Sequence, residues 1–265
     1  FMPDISQASG EAIQLALLGG VVFNIANLLL VIAIDIAGMA VAFPVAIGLA
    51  LVIGVLANYD PGQVSNSLML FLGVGLVVVA IIIDALIYRK LPGTGNTGVG
   101  KGLAISVIAG IAMGFFYRFV AQSMSLDFAN PTPGLMTPYS AGVVFGIGLL
   151  VSNIIWLIPL MYKPITGDAV TLGQYFSKGS TRLHLVGILG GAIWMVGFGF
   201  NVIAPGKAGY AVSYGLGQGA TMVAAFWCVF IWKEFKDAPA GTTPLIVAMF
   251  ACFVTGLALI VYSNL

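Results

Sequence analysis

Charge is what this sequence most lacks. Charged residues make up 7% of its 265 positions, with ten Lys and Arg, nine Asp and Glu and one His. Soluble domains carry about a quarter, because a folded surface needs hydrated groups. So few charges cannot coat a water-facing surface, so the solvent is largely lipid. A net charge of +1 provides no basic field, which argues against a nucleic-acid partner. Cysteine is nearly absent as well. Cys228 and Cys252 fall inside separate apolar runs, without the spacing of a metal site or a redox pair, and read as small packing residues. No Ser/His/Asp set, metal-ligand cluster or phosphate-cradling glycine loop occurs, so no catalytic residues, metal or cofactor are expected.

Apolar length is what the chain has. Hydrophobic residues make up 60% of it, mean hydropathy is +1.08, and the 35 glycines follow no collagen-like period. A helix crosses the hydrocarbon with about 20 mostly apolar residues. Eight stretches qualify: 12–34, 39–58, 67–88, 101–124, 138–162, 182–203, 209–232 and 243–263. A β-barrel would instead show shorter alternating segments. The expected fold is therefore an all-α polytopic membrane protein. Turn chemistry separates the spans at Asp60-Pro61-Gly62, Leu91-Pro92-Gly93 through Gly95-Asn96, Asn130-Pro131 with Pro133-Gly134, and Ala240-Gly241. Numbering the gaps alternately puts Arg89, Lys90, Lys101, Lys163, Lys178, Arg182, Lys233 and Lys236 on one side, and only Lys207 in a loop on the other. The positive-inside tendency makes the richer side cytoplasmic and turns both chain ends outward.

The chain also matches itself. At an offset of 171, Leu18-Gly19-Gly20 falls on Leu189-Gly190-Gly191, Ile32-Ala33 on Ile203-Ala204, Gly38 on Gly209, Ala40-Val41 on Ala211-Val212, and Gly48 on Gly219. The paired units begin at the first and sixth spans. Five crossings apart, the second copy lies upside down, an arrangement common in secondary transporters. Two more spans precede the second copy, so the expected whole is an inverted-repeat bundle of five plus five helices, eight of them here. Residues 1–90 would be the last three helices of the first repeat, 91–100 a cytoplasmic connecting loop, and 101–265 the second five-helix repeat. The first repeat's two N-terminal helices would be absent.

Four stretches resemble the ureide permease group: Gly38-Met39-Ala40-Val41 with Gly48; Leu135-Met136-Thr137-Pro138-Tyr139 with Ser152-Asn153; Gly209 to Gly219; and Phe230-Ile231-Trp232-Lys233-Glu234-Phe235. They are also similar to the glucose/ribose and rhamnose porters of the drug/metabolite transporter superfamily. That resemblance implies ten helices in two inverted halves. It also implies a central cavity lined by the first, second, fourth, sixth and seventh spans of this chain.

Polar side chains inside spans are costly unless they face a partner or a wet cavity, so each is a candidate. Arg118 lies two-thirds along the fourth span beside Tyr117. Its guanidinium suits a carbonyl-rich or anionic solute, while snorkelling or an ion pair with Asp127 is the plainer alternative. Asn24 and Asn27 share one face of the first span, and their repeat counterparts are Met195 and Phe198. Amides donate and accept together, which suits ureides, nucleobases and sugars, and also suits interhelical bonding. Tyr210, Tyr214 and Gln218 follow one another at fours among glycines in the seventh span, with Tyr210 also placed as an interfacial anchor. Trp194 and Asn201 in the sixth are compatible with the same cavity. The candidate solute-binding set is thus Asn24, Asn27, Tyr117, Arg118, Trp194, Asn201, Tyr214 and Gln218. Asp84 and His184 read as interfacial, Asp35 as a hydrated residue at the turn between the first two spans, and Lys233-Glu234 with Lys236-Asp237 as a solvated helix end.

The expected function is a secondary transporter of a small polar metabolite, a nucleobase or ureide or a sugar. It would work by alternating access in the cell's inner (plasma) membrane, coupled to protons on the strength of the resemblance. A non-transporting assembly subunit, which predicts a dry centre, and an exporter of small organic solutes are the alternatives. The expected partners are the solute, membrane lipid and protons, with a homodimer left open.

Overall fold

The computed structural model describes residues 1–90, 99–128, 130–233, 235–236 and 238–265, and among these the side chains of Ala40 and Tyr88 are not described. Most of the expected connecting loop, with Leu91-Pro92-Gly93 and Gly95-Asn96, lies outside the described residues, as do Glu234 and Asp237. The helices are α1 Met2–Gln7, α2 Gly10–Ala37, α3 Met39–Ala57, α4 Ser67–Tyr88, α5 Val99–Ser123, α6 Pro138–Tyr162, α7 Leu172–Lys178, α8 Thr181–Ile203, α9 Pro205–Ala208, α10 Tyr210–Gly217, α11 Ala220–Phe226 and α12 Thr242–Tyr262.

Among the described residues, seven of the eight expected spans are helical stretches long and apolar enough to cross a membrane. The remaining one, α3, has 19 residues, and its described apolar stretch Val41–Ala57 is shorter still. At about 1.5 Å per residue its 19 residues reach about 28 Å, close to a hydrocarbon layer about 30 Å thick. The seventh span departs differently. It is two short helices, α10 and α11, followed by a π-type turn over Trp227–Ile231. Capping follows local chemistry. Ser9, Asn66 and Ser180 each accept from a backbone N–H of the helix that follows, and Thr171 with Gln174 forms a capping box on α7.

Glycine sets how closely the spans approach. A Cβ at Gly20 would strike the Phe145 carbonyl of α6, and one at Gly19 would lie 2.7 Å from the Val120 side chain of α5. Gly110 and Gly114 of α5 press on Ala46 and Ile53 of α3 in the same way, and Gly73 and Gly256 bring α4 against α12. α2 and α3 pack around α5 with α6 on α2, α4 packs against α12, and α3 against α4 joins the two. α8 is different. Gly190 and Gly191, the counterparts of Gly19 and Gly20, have open space where a Cβ would stand.

The interhelical bonds fix directions. The Ser9 N–H donates to Gly134 at 2.8 Å, so α2 begins at the α5–α6 connection. The end of α8 reaches that same connection, with a Cβ at Gly206 falling 3.1 Å from the Leu126 carbonyl. α2 and α8 therefore run in opposite directions. The chain's first and last residues also share this end, through Asp4 on Thr137 and Asn264 on Ser65. Arg89, Lys90, Lys101, Lys163, Lys178 and Arg182 sit at the other end.

Two predictions follow from this packing. Gly20→Val should lower the melting temperature of the detergent-purified chain sharply, since backbone stands where the new methyls must go and overpacking costs about 1–3 kcal/mol or more. Gly191→Val should change it far less. The second concerns α1, held by the Asp4 carboxylate, which accepts from the Thr137 N–H at 2.9 Å and hydroxyl at 2.7 Å. Burial raises the Asp4 pKa, but bonds from Ser140, Thr137 and Gln7 outweigh it and leave the value below the ordinary 3.8. Because the folded value is depressed, this stabilisation is fully present above pH 3.8 and is lost as pH falls through the lowered value. A spin label at Met2→Cys should therefore stay immobile down to that range and gain mobility only below it.

Candidate functional site

α2 and α8 meet at an aromatic seam. The rings of Phe23 and Trp194 stack with centroids 4.7 Å apart, and Trp194 lies nearly parallel to Phe198 at 5.3 Å. Phe145 of α6 stacks on Phe198 at 4.4 Å, and Phe116 of α5 meets Phe23 edge-on at 4.9 Å. Such offset and edge contacts contribute about 0.5–1.5 kcal/mol each beyond area. Trp194 remains 40% exposed. The stack therefore leaves part of its indole uncovered.

Next to Phe23 stands Asn24, which is only 4% exposed, and its Nδ2 has no acceptor among the described residues. An unpaired amide held away from water costs about 1–3 kcal/mol, so its presence mid-span needs a reason. Asn27 is exposed one turn beyond Phe23. Gln218 is half-buried at the break between α10 and α11.

Tyr117, Asn201 and Tyr214 are brought together elsewhere, toward the end where α5 and α8 finish. The Tyr117 hydroxyl donates to the Asn201 carbonyl at 2.9 Å. Asn201 Nδ2 donates to the Ser213 carbonyl and the Ser213 hydroxyl to the Asn201 carbonyl, each at 2.7 Å. The Tyr214 hydroxyl lies 3.1 Å from the Ala50 carbonyl and 3.2 Å from that of Met113. Ser213 and Pro205 are the residues sequence reasoning missed here. Proline has no N–H, so the Asn201 carbonyl four residues back lacks its usual helical donor, and hydroxyls take its place. An Asn-x-x-x-Pro spacing was the available signal.

Arg118 is exposed, and its Nη1 donates to the Ala57 carbonyl where α3 ends. A cation there complements the helix's negative end. Tyr210, at the start of α10, reaches the Met124 carbonyl at 3.4 Å. The eight candidates thus fall into a seam group (Asn24, Asn27 and Trp194), Gln218 at the helix break, a bonded cluster (Tyr117, Asn201 and Tyr214), and Arg118 at the bundle end.

Residues 94–263 match the family Ureide permease, more than half of the chain. The chain belongs to the ureide permease family. Among curated relatives, Ureide permease 4 of Arabidopsis thaliana is 25% identical over 332 aligned positions, covering 100% of this chain and 81% of that protein. Ureide permease 1 of the same plant is 21% identical over 323 positions, with 100% and 81% covered. Ureide permease 5 is 22% identical over 321, with 97% and 76% covered. Membership makes this chain a multi-pass membrane transporter rather than an enzyme. The Asn24 amide gives a direct stability test. Asn24→Leu should raise the melting temperature of the solute-free protein by the equivalent of about 1–3 kcal/mol, as a buried polar group is exchanged for an apolar one. An unchanged or lower value would mean that the amide is bonded in the membrane.

Proposed function

We propose that this permease carries a small planar solute with a carbonyl acceptor, a ureide or a nucleobase, at the α2–α8 seam. Asn24 carries the proposal: a buried donor without an acceptor, beside an aromatic stack that joins the two halves of the chain. A flat solute lying on the uncovered part of Trp194 would accept from Asn24 Nδ2 and exchange bonds with Asn27. Gln218 borders the site from the helix break, and the Tyr117–Asn201–Tyr214 cluster closes one end. The relatives' name supports a ureide. The flat aromatic wall supports a planar solute over a monosaccharide.

In this proposal transport proceeds by alternating access between inverted halves, driven by a proton gradient. Three features support the inversion. α2 and α8 are opposed in direction. Gly38 and Gly209, related by the offset of 171, share a conformation, with φ 80° and ψ 155° at one and φ 72° and ψ 162° at the other. Each also opens the next helix of its half, and only glycine adopts such angles readily. The eight basic residues expected on one side, the six named above at that end together with Lys233 and Lys236, favour placing it in the cytoplasm and both chain ends outside, in the plasma membrane.

Thermal shifts with a ureide, a nucleobase and a monosaccharide, joined to uptake into proteoliposomes with and without a proton gradient, test the proposal. A ureide or nucleobase should stabilise the protein and enter faster with the gradient, whereas the sugar should do neither. Asn24→Leu should abolish the ligand-induced shift while leaving the protein folded. No shift with any solute, together with no uptake, would end the proposal.

A further inference from the structure

We propose that the seventh span is hinged at Gln218–Gly219. Asn201 is the pin that holds the outer piece, α10, while the inner piece, α11, swings.

The two pieces are held very differently. α10 is buried along Ala211–Gly215 and fixed from three sides: Asn201 of α8 bonds Ser213 twice, Tyr117 of α5 shares the same carbonyl, and the Tyr214 hydroxyl reaches α3 and α5. In α11 only Ala225 is buried. One face of α11, from Ala220 through Ala224 to Trp227 and Trp232, borders an open groove.

Between them the helical bonding changes type. The Gln218 N–H turns back to Gly215 at 3.2 Å and the Gly219 N–H to Leu216 at 2.9 Å. These are tighter, three-residue closures, and such a stretch inside a span marks a place where the axis bends at low cost. Flanking glycines lower that cost, each favouring the helix by about 1 kcal/mol less than alanine would. The joint is also fitted to its pin. A Cβ at Gly217 would stand 2.7 Å from Asn201 Nδ2, so only glycine lets the amide reach the Ser213 carbonyl. The π-type turn over Trp227–Ile231 supplies a second irregularity at the far end of α11.

The first half has no such pin among the described residues. At the offset of 171 the counterparts of Asn201 and Ser213 are Leu30 and Ala42, which have no such bonds to make, and those of Gly217, Gln218 and Gly219 are Ala46, Ile47 and Gly48. α3 stays helical through them, although Pro44 inside it withholds one N–H from the ladder. Movement is thereby assigned to one half, with Asn201 acting as a positioning residue rather than a ligand of the solute.

The inference rests on the transport reading, and its test is read without solute so that the two fail separately. In the full chain in lipid vesicles, with Cys228→Ser and Cys252→Ser, spin labels at Lys101→Cys and Trp232→Cys report α11 against α5. Labels at Gln122→Cys and Lys207→Cys report α9, the turn that leads through Gly209 into α10, against the same helix. The inner pair should show two distance populations and the outer pair one. Gly219→Ala should reduce the inner pair to one population and slow uptake without changing the half-saturating solute concentration. Asn201→Ala should broaden the outer pair. One inner population in the unsubstituted chain, an outer pair that moves as far as the inner, or a Gly219→Ala distribution identical to its parent would overturn the hinge. Two inner populations in a chain that binds no solute would keep the hinge and remove the transport reading.

Discussion

Where α2 crosses α5 and α6 there is no room for side chains. Gly19 and Gly20 meet Val120 and the Phe145 backbone, and Gly148 of α6 meets the Leu17 backbone in return. Lipid supplies little hydrophobic drive for helices to associate, so such backbone-level fit must hold the bundle. Everything further along α2 inherits its position from this crossing. Phe23, one turn beyond Gly19, lands between Phe116, Phe145 and Trp194, and Asn24 is buried beside it. Loosening the glycine contact would move the seam before it touched any polar group.

A second constraint is the absence of water at membrane depth, which obliges each backbone carbonyl to find a donor within the protein. Pro205 withholds one from Asn201, and the chain answers with two hydroxyls from two other helices. A local deficit in α8 thus becomes a three-helix junction. The same accounting gives the reciprocal Asn201–Ser213 pair a structural purpose without any ligand, whereas Asn24 has no such purpose in its surroundings.

Span positions were legible in the sequence to within three residues at nearly every end, because hydrocarbon thickness sets helix length almost regardless of packing. Opposed directions for α2 and α8 followed from counting crossings. The short helices α1, α7 and α9 were not legible, since their apolar runs are too brief to stand out. The break in the seventh span was hidden because Gly215, Gly217 and Gly219 read equally well as a packing face. Among candidate site residues, residue type marked those able to bond but not their partners. Tyr117, Tyr214 and Arg118 each donate to a carbonyl of a distant helix, and a backbone carbonyl leaves no trace in composition or spacing.

Two asparagines show how far residue type carries and where it stops. Asn24 and Asn201 are amides at similar cost in lipid, and on sequence alone they are one class. One lies opposite glycine-packed backbone and a ring stack, which offer its Nδ2 no acceptor. The other lies within 2.7 Å of a carbonyl whose neighbouring hydroxyl needs an acceptor in turn. The first amide keeps an unspent donor, and the second commits its Nδ2 to holding α10. A transporter needs both conditions at once. A solute can be selected only by groups the protein leaves unsatisfied, and it can be moved only if some contacts stay rigid while others give. In the proposed arrangement the two duties fall on different helices, α2 for selection and the α8–α10 junction for anchorage, so that α11 could move without disturbing the amide that the solute would meet.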